Sequence, residues 1–116
     1  MNNTVRCNNG SFIGDESEDL IVWRGIPYAT QPIGDLRWKK ALPAKDDNGT
    51  YEAIKFGHIP LGLANDSAGR AEFGEDCLVL NVYCGKGCED TKKPVMVWIH
   101  GGGFVAESIS KTVFYL

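Results

Sequence analysis

Two short stretches in the second half of the chain are almost continuously apolar: residues 77–83 (CLVLNVY) and 94–100 (PVMVWIH). Apolar runs of this length without alternation are typical of strands covered on both faces, deep in an α/β sheet. The segment between them, residues 85–93, is polar and short enough to join antiparallel neighbours. We therefore expect two paired core strands here.

The first 25 residues alternate β-rich runs with turn signals. Asn8-Asn9-Gly10 separates residues 4–7 from residues 11–14, which predicts a hairpin. Residues 20–24 (LIVWR) are rich in β-branched and aromatic side chains, and we expect them to pair back with the hairpin.

Two long segments, residues 25–43 and 57–75, carry several prolines and glycines and predict extended loops. Residues 44–51 predict a polar turn, and only residues 106–111 could begin a helix. Loops longer than roughly 12–15 residues normally lie across something large. We therefore expect residues 1–116 to be the first part of a bigger domain.

Composition excludes several classes of function. Twelve Lys and Arg against fifteen Asp and Glu give a net charge of −3, which offers no basic surface for nucleic acid. The longest apolar run, residues 95–99, is far shorter than the roughly 20 residues of a membrane-spanning helix. The N-terminus is polar and shows no secretory signal. We expect a cytoplasmic protein with no membrane partner and with its four cysteines reduced. Two disulfides are the alternative that the even number of cysteines leaves open.

Metal chemistry has little support in the sequence. The chain has two histidines, His58 and His100, and one close cysteine pair, Cys84 and Cys88. The spacing of that pair is unspecific and no second ligand pair lies nearby. We expect no metal and no cofactor.

Three blocks of sequence together resemble the type-B carboxylesterases, the family that includes the cholinesterases. Residues 23–38 (WRGIPYATQPIGDLRW) resemble the family's opening. Residues 75–82 (EDCLVLNV) are similar to its E-D-C-L-x-L-N-V signature, and residues 94–104 (PVMVWIHGGGF) to its strand and glycine-rich loop. The resemblance implies the N-terminal, strand-rich portion of an α/β-hydrolase fold, an incomplete mixed sheet with long loops.

The glycine triplet carries the candidate chemistry. Glycines let the backbone turn its N–H groups outward through dihedrals that side chains forbid. Fixed N–H donors stabilise the oxyanion that develops during ester hydrolysis, and the HGGG-type loop has this role in lipases and esterases. The resemblance assigns the donors to Gly102 and Gly103, within the loop formed by His100, Gly101 and Phe104. A plain glycine-rich turn is the alternative.

The resemblance also implies a structural ion pair. In the family, the residues matching Arg37 and Glu75 form a buried pair that ties the first loop to the sheet. A solvated Arg37 is the alternative. Four further residues are expected to pack beneath the loops: Trp23, Pro27, Tyr28 and Trp38.

The catalytic triad itself is missing. No G-x-S-x-G nucleophile motif occurs, and Ser108 lacks the flanking glycines of that motif, so we do not expect it to be the nucleophile. Neither His58 nor His100 stands where the general base is expected. Cys77 also lacks the disulfide partner found in secreted relatives, because residues 56–63 contain no cysteine.

The resemblance therefore implies a carboxylic ester hydrolase that works through an acyl-serine without a cofactor. Its substrate would be a small carboxylic ester. This segment would bring the oxyanion loop but not the nucleophile, acid or base, and the chain alone would be inactive. The alternative is a catalytically inactive remnant or a cholinesterase-like interaction module.

Overall fold

The computed structural model describes residues 3–61, 72–88 and 91–103. Within these ranges the chain forms five strands and one short 3₁₀ turn at Gly34–Leu36. The strands are β1 (Thr4–Cys7), β2 (Gly10–Glu16), β3 (Leu20–Pro27), β4 (Thr50–Ala53) and β5 (Val79–Gly85). None of the described residues belongs to a helix long and apolar enough to cross a membrane.

The predicted N-terminal hairpin is confirmed. β1 and β2 are antiparallel, with Thr4 opposite Ile13 and Cys7 opposite Gly10. Gly10 takes a φ of +133°, which explains why the turn ends on a glycine. β3 then pairs antiparallel with the end of β2, as the sequence predicts for residues 20–24.

β4 corrects the prediction of a polar turn over residues 44–51. It begins at Thr50 and lies parallel to β2, with Ser11 opposite Thr50. The sheet is therefore mixed, as the fold-class prediction states. Three of the four β4 residues are exposed, so the segment has no apolar alternation to indicate a strand. The open edge of β2 supplies its pairing, and the Tyr51 ring stacks on Phe12 with centroids 5.7 Å apart.

β5 confirms a strand at the first of the two predicted positions, with its start two residues later than expected. Its predicted burial on both faces is wrong for the described chain, because none of its seven residues is buried and Leu80, Val82 and Tyr83 are exposed. It pairs antiparallel with β3, and the register shifts between Trp23 and Ile26. Gly25 lies in that irregularity with a φ of +70°, and its N–H donates to Asn81 Oδ1 at 2.9 Å.

The hydrophobic core lies between β2, β3 and β4. Phe12, Ile21, Trp23 and Ala53 form its buried cluster. The Trp23 indole N–H donates to the backbone oxygens of Asn3 and Phe12, at 3.0 and 3.2 Å. A Cβ on Gly14 would lie 2.8 Å from that indole nitrogen. The absence of a side chain at Gly14 is therefore what allows Trp23 to pack across β2.

Two of the four expected packing residues lie outside the core. Trp23 is buried, but Trp38 is 95% exposed and Tyr28 is 55% exposed. Trp38 follows the 3₁₀ turn with a φ of +62°, and its ring projects into solvent. The expectation that it packs beneath a loop is wrong for the described chain.

The second predicted core strand, residues 94–100, is also wrong for the described chain. Residues 91–100 form no strand there, and the side chains at 95–99 are between 54% and 86% exposed. A strand that is apolar on both faces is stable only where other elements cover both faces. The described residues supply no such cover, and the predicted helix at 106–111 lies outside them.

Candidate oxyanion loop and its surroundings

The described part of the glycine loop comprises His100, Gly101, Gly102 and Gly103, and Phe104 lies outside the described residues. Gly102 has a φ of +120° and Gly103 a φ of +60°. Residues that carry a side chain rarely adopt either φ value, so this backbone path depends on glycine at both positions.

Within the described residues, the hydrogen bonds of this loop leave two of its N–H groups without an acceptor. Among the described residues, none accepts a hydrogen bond from the N–H of Gly102 or of Gly103. The Gly101 carbonyl oxygen, in contrast, lies 2.7 Å from His100 Nδ1 and accepts a hydrogen bond from it. In the described part of the chain, the loop therefore satisfies the Gly101 carbonyl internally and leaves two adjacent N–H groups without an acceptor.

A cleft of about 320 Å³ lies elsewhere on the molecule, between the two long loops and β5. Its lining does not include the glycine loop, so the described chain does not bring the candidate donors into this cleft. It is lined by Gly25, Pro27, Gln31, Phe56, Gly57, His58, Asp76 and Val79.

Arg37 and Glu75 form a two-pronged ion pair. Arg37 Nε lies 2.5 Å from Glu75 Oε1, and Arg37 Nη2 lies 2.6 Å from Oε2. The hydrogen bond from Arg37 holds the pKa of the Glu75 carboxyl below its ordinary value. The side chains are 51% and 38% exposed, so the pair is half-exposed rather than buried. The guanidinium reaches the turn before β5 from the outside, which leaves both groups in contact with water.

Two further contacts in this region were not predicted by any feature of the sequence. The Gln31 side-chain amide accepts from the Leu78 N–H at 3.0 Å and donates to the Leu78 carbonyl at 3.2 Å, as a neighbouring strand would. His58 Nδ1 lies 2.5 Å from Asp76 Oδ1. Each contact joins residues far apart in the chain, so only the tertiary structure reveals it.

The cysteines correct the expectation of four reduced thiols. Cys84 and Cys88 form a disulfide, with Cα atoms 6.2 Å apart, whereas Cys7 and Cys77 are free. The turn containing Gly87, with a φ of +78°, brings the pair within the range that a disulfide spans. Burial raises the pKa of the Cys77 thiol. Among the described residues, no three metal-ligating side chains gather.

Comparison with known proteins shows which family the chain belongs to. Residues 1–115 match the model of the carboxylesterase family. The chain is 37% identical over 106 residues to phenmedipham hydrolase of Pseudarthrobacter oxydans, covering 85% of this chain and 21% of the relative. It is 38% identical over 102 residues to fumonisin B1 esterase of Sphingopyxis macrogoltabida, covering 86% and 19%.

Solved structures give the same result. A thermophilic PNB esterase superposes with a TM-score of 0.83 at 30% sequence identity, over 96% of this chain and 24% of that one. The fold is thus the strand-rich part of an α/β-hydrolase of the carboxylesterase type. The chain belongs to the carboxylesterase family, and it spans about a fifth of the length of the curated relatives it matches.

Proposed function

We propose that this chain is the N-terminal segment of a carboxylic ester hydrolase, in which it supplies two donors of the oxyanion hole. The observation that carries the proposal is the loop geometry. Gly102 and Gly103 both have positive φ, and neither N–H has an acceptor among the described residues.

The proposed role follows from the chemistry of ester cleavage. Attack by a serine hydroxyl on the ester carbonyl places negative charge on the carbonyl oxygen. N–H groups already aimed at that oxygen stabilise the charge without reorganising. Removal of one such donor typically costs about 100- to 1000-fold in turnover. The N–H groups of Gly102 and Gly103 would provide this stabilisation.

Residues 1–116 would not supply the nucleophile, the acid or the base of this enzyme. The chain has no G-x-S-x-G motif, and Ser108 lies outside the described residues. Neither His58 nor His100 stands where the family's order of nucleophile, acid and histidine places the general base. Without a nucleophile, the oxyanion donors have no tetrahedral intermediate to stabilise. We therefore propose that the 116-residue chain alone is inactive.

The name of one relative, fumonisin B1 esterase, supports an ester substrate, and the name of the other, phenmedipham hydrolase, supports a hydrolytic reaction. The uncovered apolar residues 95–99 support a role as part of a larger domain, because such a run needs neighbours on both faces. Acyl transfer through a serine requires no metal or organic cofactor.

The disulfide favours the second candidate, an interaction module of an exported protein. Disulfides form and persist in oxidising compartments and are rare in the cytoplasm. The cytoplasmic location stays a prediction. Thiol alkylation of the freshly purified chain, followed by mass spectrometry, distinguishes four free thiols from two. Two thiols would support export and the interaction module.

A hybrid enzyme tests the proposed function. Residues 1–103 replace the matching segment of PNB esterase, whose own downstream catalytic residues are kept. We expect this hybrid to hydrolyse p-nitrophenyl acetate, and the isolated chain to give no burst that a serine-directed organophosphate blocks. In the hybrid, Gly102→Pro deletes one donor N–H and also forbids the φ of +120° at this position, so kcat should fall by at least about 100- to 1000-fold. Unchanged turnover in a folded Gly102→Pro hybrid would exclude this N–H from the oxyanion hole.

A further inference from the structure

Two adjacent carboxylates before β5 each contact a different long loop. Glu75 pairs with Arg37 of the first loop, as described above. Asp76 contacts the second loop instead, where its Oδ1 lies 2.5 Å from His58 Nδ1. The two loops are therefore held to the start of β5 through neighbouring residues but separate side chains.

The base of the second loop is closed by backbone bonds next to this contact. The Ile59 N–H donates to the Glu72 carbonyl at 2.8 Å, and the Gly74 N–H donates to the Ile59 carbonyl at 3.0 Å. The chain thus returns to His58 by way of a short bridge between Ile59 and Phe73. The His58–Asp76 contact lies beside that bridge, because His58 directly precedes Ile59 and Asp76 follows Phe73 by three residues.

Gly74 makes room for the side-chain contact. A Cβ on Gly74 would lie 2.7 Å from Asp76 Oδ1 and 2.8 Å from both Cγ and Nδ1 of His58. Real Cβ atoms essentially never approach other atoms so closely. The φ of Gly74 is not in the positive range, so glycine is needed here for space and not for backbone conformation.

We infer that His58, Asp76 and Gly74 form a loop-base tie, which holds the second loop against the start of β5 independently of the Arg37–Glu75 pair. An imidazole protonated on Nδ1 donates to the carboxylate whether the ring is neutral or charged. The tie therefore does not require a charged histidine. His58 and Asp76 also line the 320 Å³ cleft, so the tie forms part of the cleft wall.

Amide hydrogen exchange of the full 116-residue chain, followed by NMR, tests the tie independently of any esterase activity. The reporters are the Ile59 and Gly74 N–H groups, and the control is the Ser11 N–H, which donates to Gly49 in the β2 region. His58→Ala should speed exchange of both reporters about two- to fivefold, the range for a half-exposed pair, and leave Ser11 unchanged. His58→Asn, whose amide can donate from near the Nδ1 position, should restore most of the protection. Equal exchange in His58→Ala and in the parent chain would overturn the inference.

A double-mutant cycle tests the role of Gly74. Gly74→Ala should speed exchange of the Ile59 N–H in the parent chain, because its Cβ displaces both members of the tie. In a chain that already carries His58→Ala and Asp76→Ala, the same change should have little further effect. Effects that simply add would show that Gly74 serves some purpose other than the tie.

Discussion

The hairpin region (β1 to β3) and the segment before the glycine loop (residues 95–99) are both rich in apolar residues. The first buries its apolar side chains, whereas the second exposes them. In β2 and β3, Phe12, Ile21 and Trp23 are at most 7% exposed. In the later segment, Val95 and Ile99 are more than 80% exposed. The buried cluster of the hairpin region lies within the first 53 positions, with Cys84 of β5 packed against it, while the later segment finds no cover in the described chain. An apolar run predicts that a segment needs cover, but not which residues provide it.

The largest expected effect separates two isoleucines, one from each region. Ile21 is 2% exposed and Ile99 is 83% exposed. Ile21→Ala should lower the free energy of unfolding by about 2–5 kcal/mol, because it leaves a cavity between β2 and β3. Ile99→Ala should change it by less than about 0.5 kcal/mol. Urea denaturation followed by circular dichroism measures both, and equal losses would mean that the later segment is packed after all.

A pair of glycines sharpens the same comparison at a smaller scale. A Cβ on Gly14 meets the Trp23 ring at 2.8 Å, whereas a Cβ on Gly101 meets nothing within 4 Å. Gly14→Ala should therefore cost about 1–3 kcal/mol through overpacking, and Gly101→Ala close to nothing. Thermal unfolding of the two variants beside the parent chain provides the test. A tolerated Gly14→Ala would show that the indole of Trp23 can move aside.

The smallest effect concerns the Arg37–Glu75 pair, which links the first loop to the start of β5. Because the pair lowers the pKa of Glu75, its stabilising contribution is present above the ordinary glutamate value of about 4.3 and is lost as the pH falls through the lowered value. Glu75→Gln should therefore lower the unfolding temperature at pH 7, and the difference should vanish in acid. Added salt should also shrink it, since both groups are half-exposed. A difference that grows in acid would contradict this assignment.

Much of the hairpin region could be predicted from sequence because its determinants are local. The turn signal Asn8-Asn9-Gly10 sets the β1–β2 register, and β3 follows after a short bend. β4 was missed because its exposed residues show no alternation, and its partner β2 lies about 40 residues earlier. The strand at 94–100 was predicted from an apolar pattern that the described chain leaves uncovered.

Around the candidate site, some contacts could likewise be predicted from the sequence and others could not. Contact between Arg37 and Glu75 was anticipated from the family resemblance, although its exposure was not. The Gln31–Leu78 and His58–Asp76 contacts join positions 47 and 18 residues apart, and neither residue type announces its partner. Positive φ at Gly102 and Gly103 agrees with the reason for expecting glycine there, whereas their role as donors stays a proposal.

The most direct test of the central claim compares two glycines of the loop in the PNB esterase hybrid. A Cβ has open space at both Gly101 and Gly103, but only Gly103 of the two requires a positive φ. If the loop forms an oxyanion hole, Gly103→Ala should shift its N–H and lower kcat for p-nitrophenyl acetate by about 100-fold, the cost of a misplacement of about 1 Å. Gly101→Ala should leave kcat near that of the parent hybrid. Equal kcat values for the two folded variants would contradict the assignment of this loop to catalysis.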